Sequence, residues 1–449
     1  MNSIPAGFRR GRRCMWKRFL QVVCLATMTL VQREAAAEFS LLEQNGWKLT
    51  LDGRLNAFIS VAQGDRTPEG VAEWTAGLYE PADPNGGELF VTRIRSGFVQ
   101  SVLGFGMSKE VAPRYKLSGR FALWAGASNE RKPVLGSQPD VQARELFIKL
   151  QAPWGTIEAG RDLGLFGRGG ISMDGEIVHG EGMGSPCSTR QVLGGACGFA
   201  GHGVLFPAFN AGALYSTPEL GGIQATVGLY DPSVNSEKAY EITPYPRLEA
   251  QLSYHFADHF QVFGEAMWQR LINTAPLKDL QGDLVLDSNG KPKNQVADVN
   301  GVAAGAMFAA GPARVGGAFY TGSGLTLIIP IFNTPIFADS FGVLRKGQGF
   351  VGMASLKFGG TKLAGGAGIS QLKLTKYDEQ QQPFSQLVPP KQQLGVSVGL
   401  YQSVFDQLTW ALEYFRGQYT WYEYRDSTGN VAPPKQAVNF VNTGLTLVF

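Results

Sequence analysis

Apolar and polar residues alternate along most of this chain with a period of two. In "WKLTLDGRLNAFISVAQG", Trp47, Leu49, Leu51, Leu55, Ala57, Ile59 and Val61 share one face. Lys48, Thr50, Asp52, Arg54, Asn56 and Ser60 share the other. Successive side chains of a strand point to opposite faces, so the pattern predicts a strand lying between two different solvents. "YKLSGRFALWAG" sets Tyr115, Leu117, Phe121 and Leu123 against Lys116, Ser118 and Arg120. "PRLEAQLSYHF" sets Leu248, Ala250, Leu252, Tyr254 and Phe256 against Arg247, Glu249, Gln251, Ser253 and His255, and "QLTWALEYF" behaves alike. About sixteen such segments begin near residues 47, 90, 114, 141, 155, 209, 221, 245, 259, 296, 312, 347, 361, 391, 407 and 436. Those near 296 and 361 are the faintest, being nearly all Ala and Gly.

The connections sort by length. Even ones are short: "APWG", "PELGG", "ADH", "AAGP", "GGT" and "VFDQ", with a slightly longer one around "SKEVAP". Odd ones are long, from "GDRTPEGVAEWTAGLYEPADPNGGEL" through "YDEQQQPFSQLVPP" to "DSTGNVAPP", and the fifth runs over forty residues. A soluble sandwich has no reason to sort its loops by parity. A transmembrane barrel does, with long extracellular loops and short periplasmic turns. The predicted fold class is therefore all-β: a transmembrane antiparallel β-barrel of about sixteen strands. In lipid an unpaired strand edge leaves backbone groups without partners. The last segment, "VNTGLTLVF", should thus close the barrel against the first, with Leu445, Leu447 and Phe449 on its apolar face.

Composition agrees. Gly is 58 of 449 residues and aromatics are 11%, while charged residues are 17% against a usual ~25%. No run of ~18 apolar residues offers a helical span. The N-terminus reads as a secretory signal: a basic region (Arg9, Arg10, Arg12, Arg13, Lys17, Arg18), an apolar region from Phe19 to Val31, and an Ala35-Ala36-Ala37 cleavage site. It fits neither a twin-arginine nor a lipoprotein signal. The expected division is thus a signal peptide over 1–37 and a barrel over 38–449. Removing seven basic residues and one acidic residue from totals of 40 and 37 turns the formal net charge from +3 to −3, so the positive charge gives no reason to expect a nucleic-acid partner. Cys187 and Cys197 are the cysteines that remain.

At this point the chain resembles the general porins of Gram-negative outer membranes, which are trimeric and sixteen-stranded. The resemblance runs along the mature chain through "LTLDGRLNAF", "RIRSGF", "RELFIKLQAPWGTIEAGRD", "FNAGALYSTPELGG" and the terminal Phe449. It implies a homotrimer among outer-membrane lipids, with a water-filled lumen narrowed by an inward-folded third loop. It implies no cofactor and no enzymatic activity. It also implies that Phe449, with Leu445 and Leu447, is read by the barrel-assembly machinery. Arg54, Arg95, Arg144 and Arg161 fall where the motifs imply basic lumen residues, Arg120 joins them by its own strand pattern, and Arg93 is a further pore-lining candidate. Arg144 shares the parity of Leu146, Ile148 and Leu150, which look lipid-facing.

The acidic third-loop motif usual in that family is missing. In its place stands "GRDLGLFGRGGISMDGEIVHGEGMGSPCSTRQVLGGACGFAGHG". Asp162, Asp174, Glu176 and Glu181 are the candidates for the acidic side of the pore. His179, Cys187, Cys197 and His202 share the segment, but no common zinc spacing is met, and an exported protein favours a Cys187–Cys197 disulfide. The reading is an outer-membrane channel for passive diffusion of ions and small hydrophilic solutes. The alternatives are a porin specific for a sugar or an anion, an outer-membrane hydrolase, for which no Gly-x-Ser-x-Gly element speaks, and a secreted soluble β protein.

Overall fold

The structure is a computed structural model. It describes residues 38–449 apart from 72–76, 79–86, 128–140, 187–194, 233–241, 258, 278, 280–282, 331–336 and 340. Sixteen antiparallel strands form a closed barrel. They are β1 (Trp47–Asp65), β2 (Glu88–Arg95 continued by Ser101–Ala112), β3 (Tyr115–Ala125), β4 (Val141–Ala152), β5 (Gly155–Leu163), β6 (Phe209–Ser216), β7 (Ile223–Tyr230) and β8 (Arg247–Phe256). The circuit continues with β9 (Phe260–Pro276), β10 (Asn294–Ala310), β11 (Ala313–Ser323), β12 (Lys346–Phe358), β13 (Thr361–Lys373), β14 (Pro390–Phe405), β15 (Leu408–Trp421) and β16 (Lys435–Val448). Each pairs with the next. β16 returns to β1 from Arg54↔Val448 to Gly64↔Val438, which leaves no open edge in the wall.

The period-two pattern becomes the two faces of the wall. Leu55, Ile59, Phe90, Ile94, Phe105, Leu146 and Ile148 point outward and are exposed, as suits side chains meant for lipid. Thr50, Asn56, Ser60, Glu413, Asn442 and Thr446 point inward and are buried. At the short-turn end Trp154 stacks on Tyr215, whose hydroxyl donates to the Trp154 carbonyl at 2.7 Å, forming part of an aromatic girdle.

Two features lie outside the alternation. The segment Phe39–Gln44 is a further short strand, turned onto β1 by Asn45 and Gly46, which both take positive φ as a tight hairpin requires. It pairs with Trp47–Leu51 of β1, beyond the point where β16 stops, and so prolongs the seam. The second feature is the break in β2 at 96–100. The Asn56 side chain holds it open, donating to the Val99 carbonyl and accepting from Gly97 N, each at 2.7 Å.

Candidate functional site

Between β5 and β6 the described residues, 164–186 and 195–208, lie within the lumen. Gly164 to Ala208 carries a short helix, α1 (Arg168–Asp174), which loosens into a wider turn over Gly175–His179. Its apolar side chains, Ile171, Met173, Ile177, Val178, Met183, Phe199 and Val204, form one cluster with inward residues of the wall. Those partners include Phe58 of β1, Met307, Ala318, Val351 and Met353 of β10–β12, and Tyr401, Phe415 and Phe440 of β14–β16. Burial of apolar surface holds the loop against that side.

This explains the two faint segments. They lie where the loop passes closest. A Cβ at Gly368 of β13 would sit 2.0 Å from the His202 carbonyl oxygen, and one at Gly301 of β10 would sit 2.7 Å from the Phe166 ring. Only glycine admits such an approach.

Polar anchors fix the loop's backbone. Glu249 accepts from Leu165 N and Phe166 N at 2.7 and 3.0 Å. Glu265 accepts from Gly167 N and Gly169 N, both at 2.7 Å. Glu413 accepts from Met183 N and Gly184 N at 2.7 and 3.1 Å, and from the Tyr401 hydroxyl at 2.5 Å. Asn442 donates to the Gly184 carbonyl at 2.9 Å, and Phe98 N, in the β2 break, donates to the Gly182 carbonyl at 2.7 Å. None of these anchors was singled out by sequence. Glu249 and Glu413 carry lumen parity, but the pattern shows only that they face inward, not what they meet.

The opposite wall, β1 to β5, keeps charged side chains that are mostly half-buried, Glu158 being buried. Arg120 grips Asp52 through two bonds, one of 2.5 Å and one of 2.9 Å, and also binds Glu145. Lys149 meets Glu158 at 2.8 Å, and Arg168 of α1 lies 3.8 Å from Asp162. Below the loop a cleft of about 200 Å³ is lined by Glu176, Glu181, Arg314, Lys357 and Lys362. There Glu176 faces Arg314 at 3.3 Å, and Glu181 faces Lys362 at 3.5 Å.

Arg54, Arg93, Arg120, Asp162, Glu176 and Glu181 thus face the interior, and Arg54 donates to the Gly180 carbonyl of the loop. Four candidates need correction or refinement. Arg95 points inward but is 5% exposed, so it is embedded rather than lining open space. Arg161 lies opposite Leu146 and shares the outer face with Ile157; it is not a lumen residue. Asp174 is fully buried, with Nδ1 of His179 at 2.6 Å and Phe199 N donating at 2.7 Å, so it holds the loop and faces no pore. Arg144 points inward despite its parity. A register shift sets Ala122 opposite Glu145 and Leu123 opposite Ala143, so Arg144 is the extra residue of a β-bulge. The bulge reverses the alternation and lets Arg144 and Glu145 both face the lumen.

The loop histidines take opposite environments. Burial opposes charge on His179, but Asp174 outweighs it and holds the imidazole above its ordinary range. His202 is buried among Phe415 and Tyr419 with no hydrogen bond at either ring nitrogen, and burial pushes it down to about 3. Cys197 is disulfide-bonded; Cys187 lies outside the described residues. Leu445 and Leu447 face outward, and Phe449 exchanges backbone hydrogen bonds of 2.7 and 2.9 Å with Gly53.

The family described as Gram-negative porin matches residues 25–334. The fold is similar to that of the outer membrane channel DcaP of Acinetobacter baumannii, with a TM-score of 0.60 at 11% identity over 91% of this chain and 99% of that one. It is also similar to the anion-selective porin from Comamonas acidovorans, with a TM-score of 0.55 at 13% identity over 90% and 100% of the two chains. OmpF of Salmonella typhi, in complex with daunomycin, gives a TM-score of 0.50 at 15% identity over 91% and 99%. No curated protein matches the chain significantly.

Proposed function

The chain belongs to the Gram-negative porin family and is an outer-membrane channel for passive diffusion; from that premise we propose the route and its controls. The route runs between the inward loop and the β1–β5 wall. The observation that carries it is the asymmetry of the lumen. The β10–β16 side, with the adjoining upper parts of β1 and β2, is sealed by apolar contact with the loop, whereas the rest of the β1–β5 wall keeps ion pairs that water reaches. Fixed charges beside a low-dielectric wall act strongly on passing ions, so Arg120, Asp52, Glu145, Lys149 and Glu158 set which solutes pass. Arg54, Arg93 and Asp162 contribute along the same side, and Glu176 and Glu181 act at the lower cleft.

The loop behaves as a fixed partition. Its apolar contacts and wall carboxylates hold it along its length, and a Cys187–Cys197 bridge closes its tip. Two alkylated thiols in the unreduced protein would dismiss that bridge. The protein works as a homotrimer. The exposed apolar outer face needs lipid or another protomer to cover it, and one structurally similar protein, OmpT of Vibrio cholerae, is described in a trimer form at a TM-score of 0.50. Residues 1–37, outside the described residues, serve as the cleaved export signal, and Phe449 is the element read during assembly. No catalysis enters this reading. Conductance in planar bilayers tests it against a hydrolase, which would instead show esterase activity from a closed barrel.

A further inference from the structure

On the long-loop side of the partition lies a cavity of about 200 Å³ between the loop, β2–β6 and the segment after β11. Its lining is almost wholly apolar, with Phe98, Trp124, Phe206 and Phe209 among the contributors. Gln100 and Ser172 are its neutral polar residues, and Arg144 is the charged one. This side chain is 7% exposed, and its guanidinium stacks over Trp124 and Phe209, 5.2 and 5.7 Å from their ring centroids. Its hydrogen bond is from Nε to Gln142, at 3.1 Å. Glu145, next in the chain, is already engaged by Arg120 and by Trp124 Nε1. No acidic side chain among the described residues lies within ion-pair distance of Arg144.

A buried charge with no counter-ion is strongly disfavoured. Here the strand spends a bulge to aim a charge, unpaired among the described residues, at the cavity, where regular alternation would have turned it outward to lipid. The charge, the flat aromatic walls and the apolar volume share one complement: a small anion with a flat apolar body. We propose that this cavity binds aromatic monocarboxylates, the carboxylate on Arg144 and the ring among Phe98, Trp124, Phe206 and Phe209. Bound there, such a solute sits at the entrance of the route. The inference rests on the channel reading for its consequence but not for the binding itself.

The test uses the purified channel with three probes: benzoate, acetate and benzyl alcohol. In planar bilayers, benzoate on the long-loop side should interrupt the open current saturably, at concentrations where the other two do not. R144Q keeps a polar side chain but loses the charge, and should raise the half-blocking concentration by at least about tenfold, as loss of a charged hydrogen bond does. Ser172→Phe, which fills part of the cavity and leaves Arg144 intact, should act in the same direction. Equal block by acetate or by benzyl alcohol would overturn the pairing of charge and apolar wall. Unchanged benzoate block in either folded variant would overturn the site. Calorimetry of wild-type protein with benzoate needs neither variant nor channel, and absence of a saturable heat also overturns it. A channel that conducts but ignores benzoate refutes this inference alone, whereas folded protein that never conducts refutes the channel reading and leaves calorimetry to decide the site.

Discussion

Glu413 offers a test of the loop as a fixed partition. It is 1% exposed on the lumen face of β15 and accepts from two loop N–H groups and the Tyr401 hydroxyl. Glu413→Ala removes all three acceptor contacts. Hydrogen bonds to a charged partner contribute roughly 1.5–3 kcal/mol each, so the two to the loop are worth about 3–6 kcal/mol before water re-enters. Taking the lower end, the attached state of the Met183–Gly184 stretch loses a factor of about a hundred. The rest of the loop keeps Glu249, Glu265 and its apolar cluster, so the loosening is confined to the stretch around Gly180–Ser185, where Arg54, Phe98 N and Asn442 still hold the carbonyls of Gly180, Gly182 and Gly184. Glu413→Gln retains an acceptor oxygen for the loop and can turn its amide toward Tyr401, so it should lose about 1 kcal/mol. Single-channel recordings are the assay. Open-current noise and brief closures should be frequent in the Ala variant, slight in the Gln variant and rare in the wild type. A folded Ala variant with wild-type current would refute the anchoring argument.

Three further outcomes follow from the same geometry. Arg120→Ala strips the cation from between Asp52 and Glu145, so the reversal potential in a salt gradient should shift toward cation preference; no shift would place the narrowest point elsewhere. Gly53→Val or deletion of Phe449 should lower outer-membrane yield, because a Cβ at Gly53 would lie 2.5 Å from the Phe449 ring; normal yield from both would show the seam tolerates the loss. His202 is held neutral, its value depressed from 6.5 to about 3, so the unfolded chain takes the proton first: its stability contribution is whole above about 6.5 and drains as pH falls toward 3. Loop noise should therefore rise between pH 7 and pH 4, less steeply in His202→Leu, and identical pH profiles would contradict the assignment.

The barrel was legible because its wall is a local pattern. Every predicted strand begins within two residues of the observed one, including the faint Ala/Gly segments at β10 and β13. The closing partner of "VNTGLTLVF" followed from the need to pair every edge. Phe39–Gln44 escaped because it is short and exposed throughout, without two distinct faces. Parity alone set Arg144 on the lipid side, against the lumen position that the resemblance implied, because one inserted residue inverts every position beyond it. The loop was hardest. Asp174, Glu176 and Glu181 are alike in sequence, yet Asp174 is sealed against His179 while the other two meet cations across a cleft. That difference depends on which strands the loop crosses, and a period-two pattern carries no such information. The wall carboxylates were visible as inward residues, but their task became clear only with the loop beside them.

The most direct test of the channel itself is the current through purified, folded protein in a planar bilayer under a salt gradient. The account predicts stepwise, ohmic conductance with a finite reversal potential set by the charges of the β1–β5 wall. A correctly folded barrel that inserts and yields no conductance steps would contradict it.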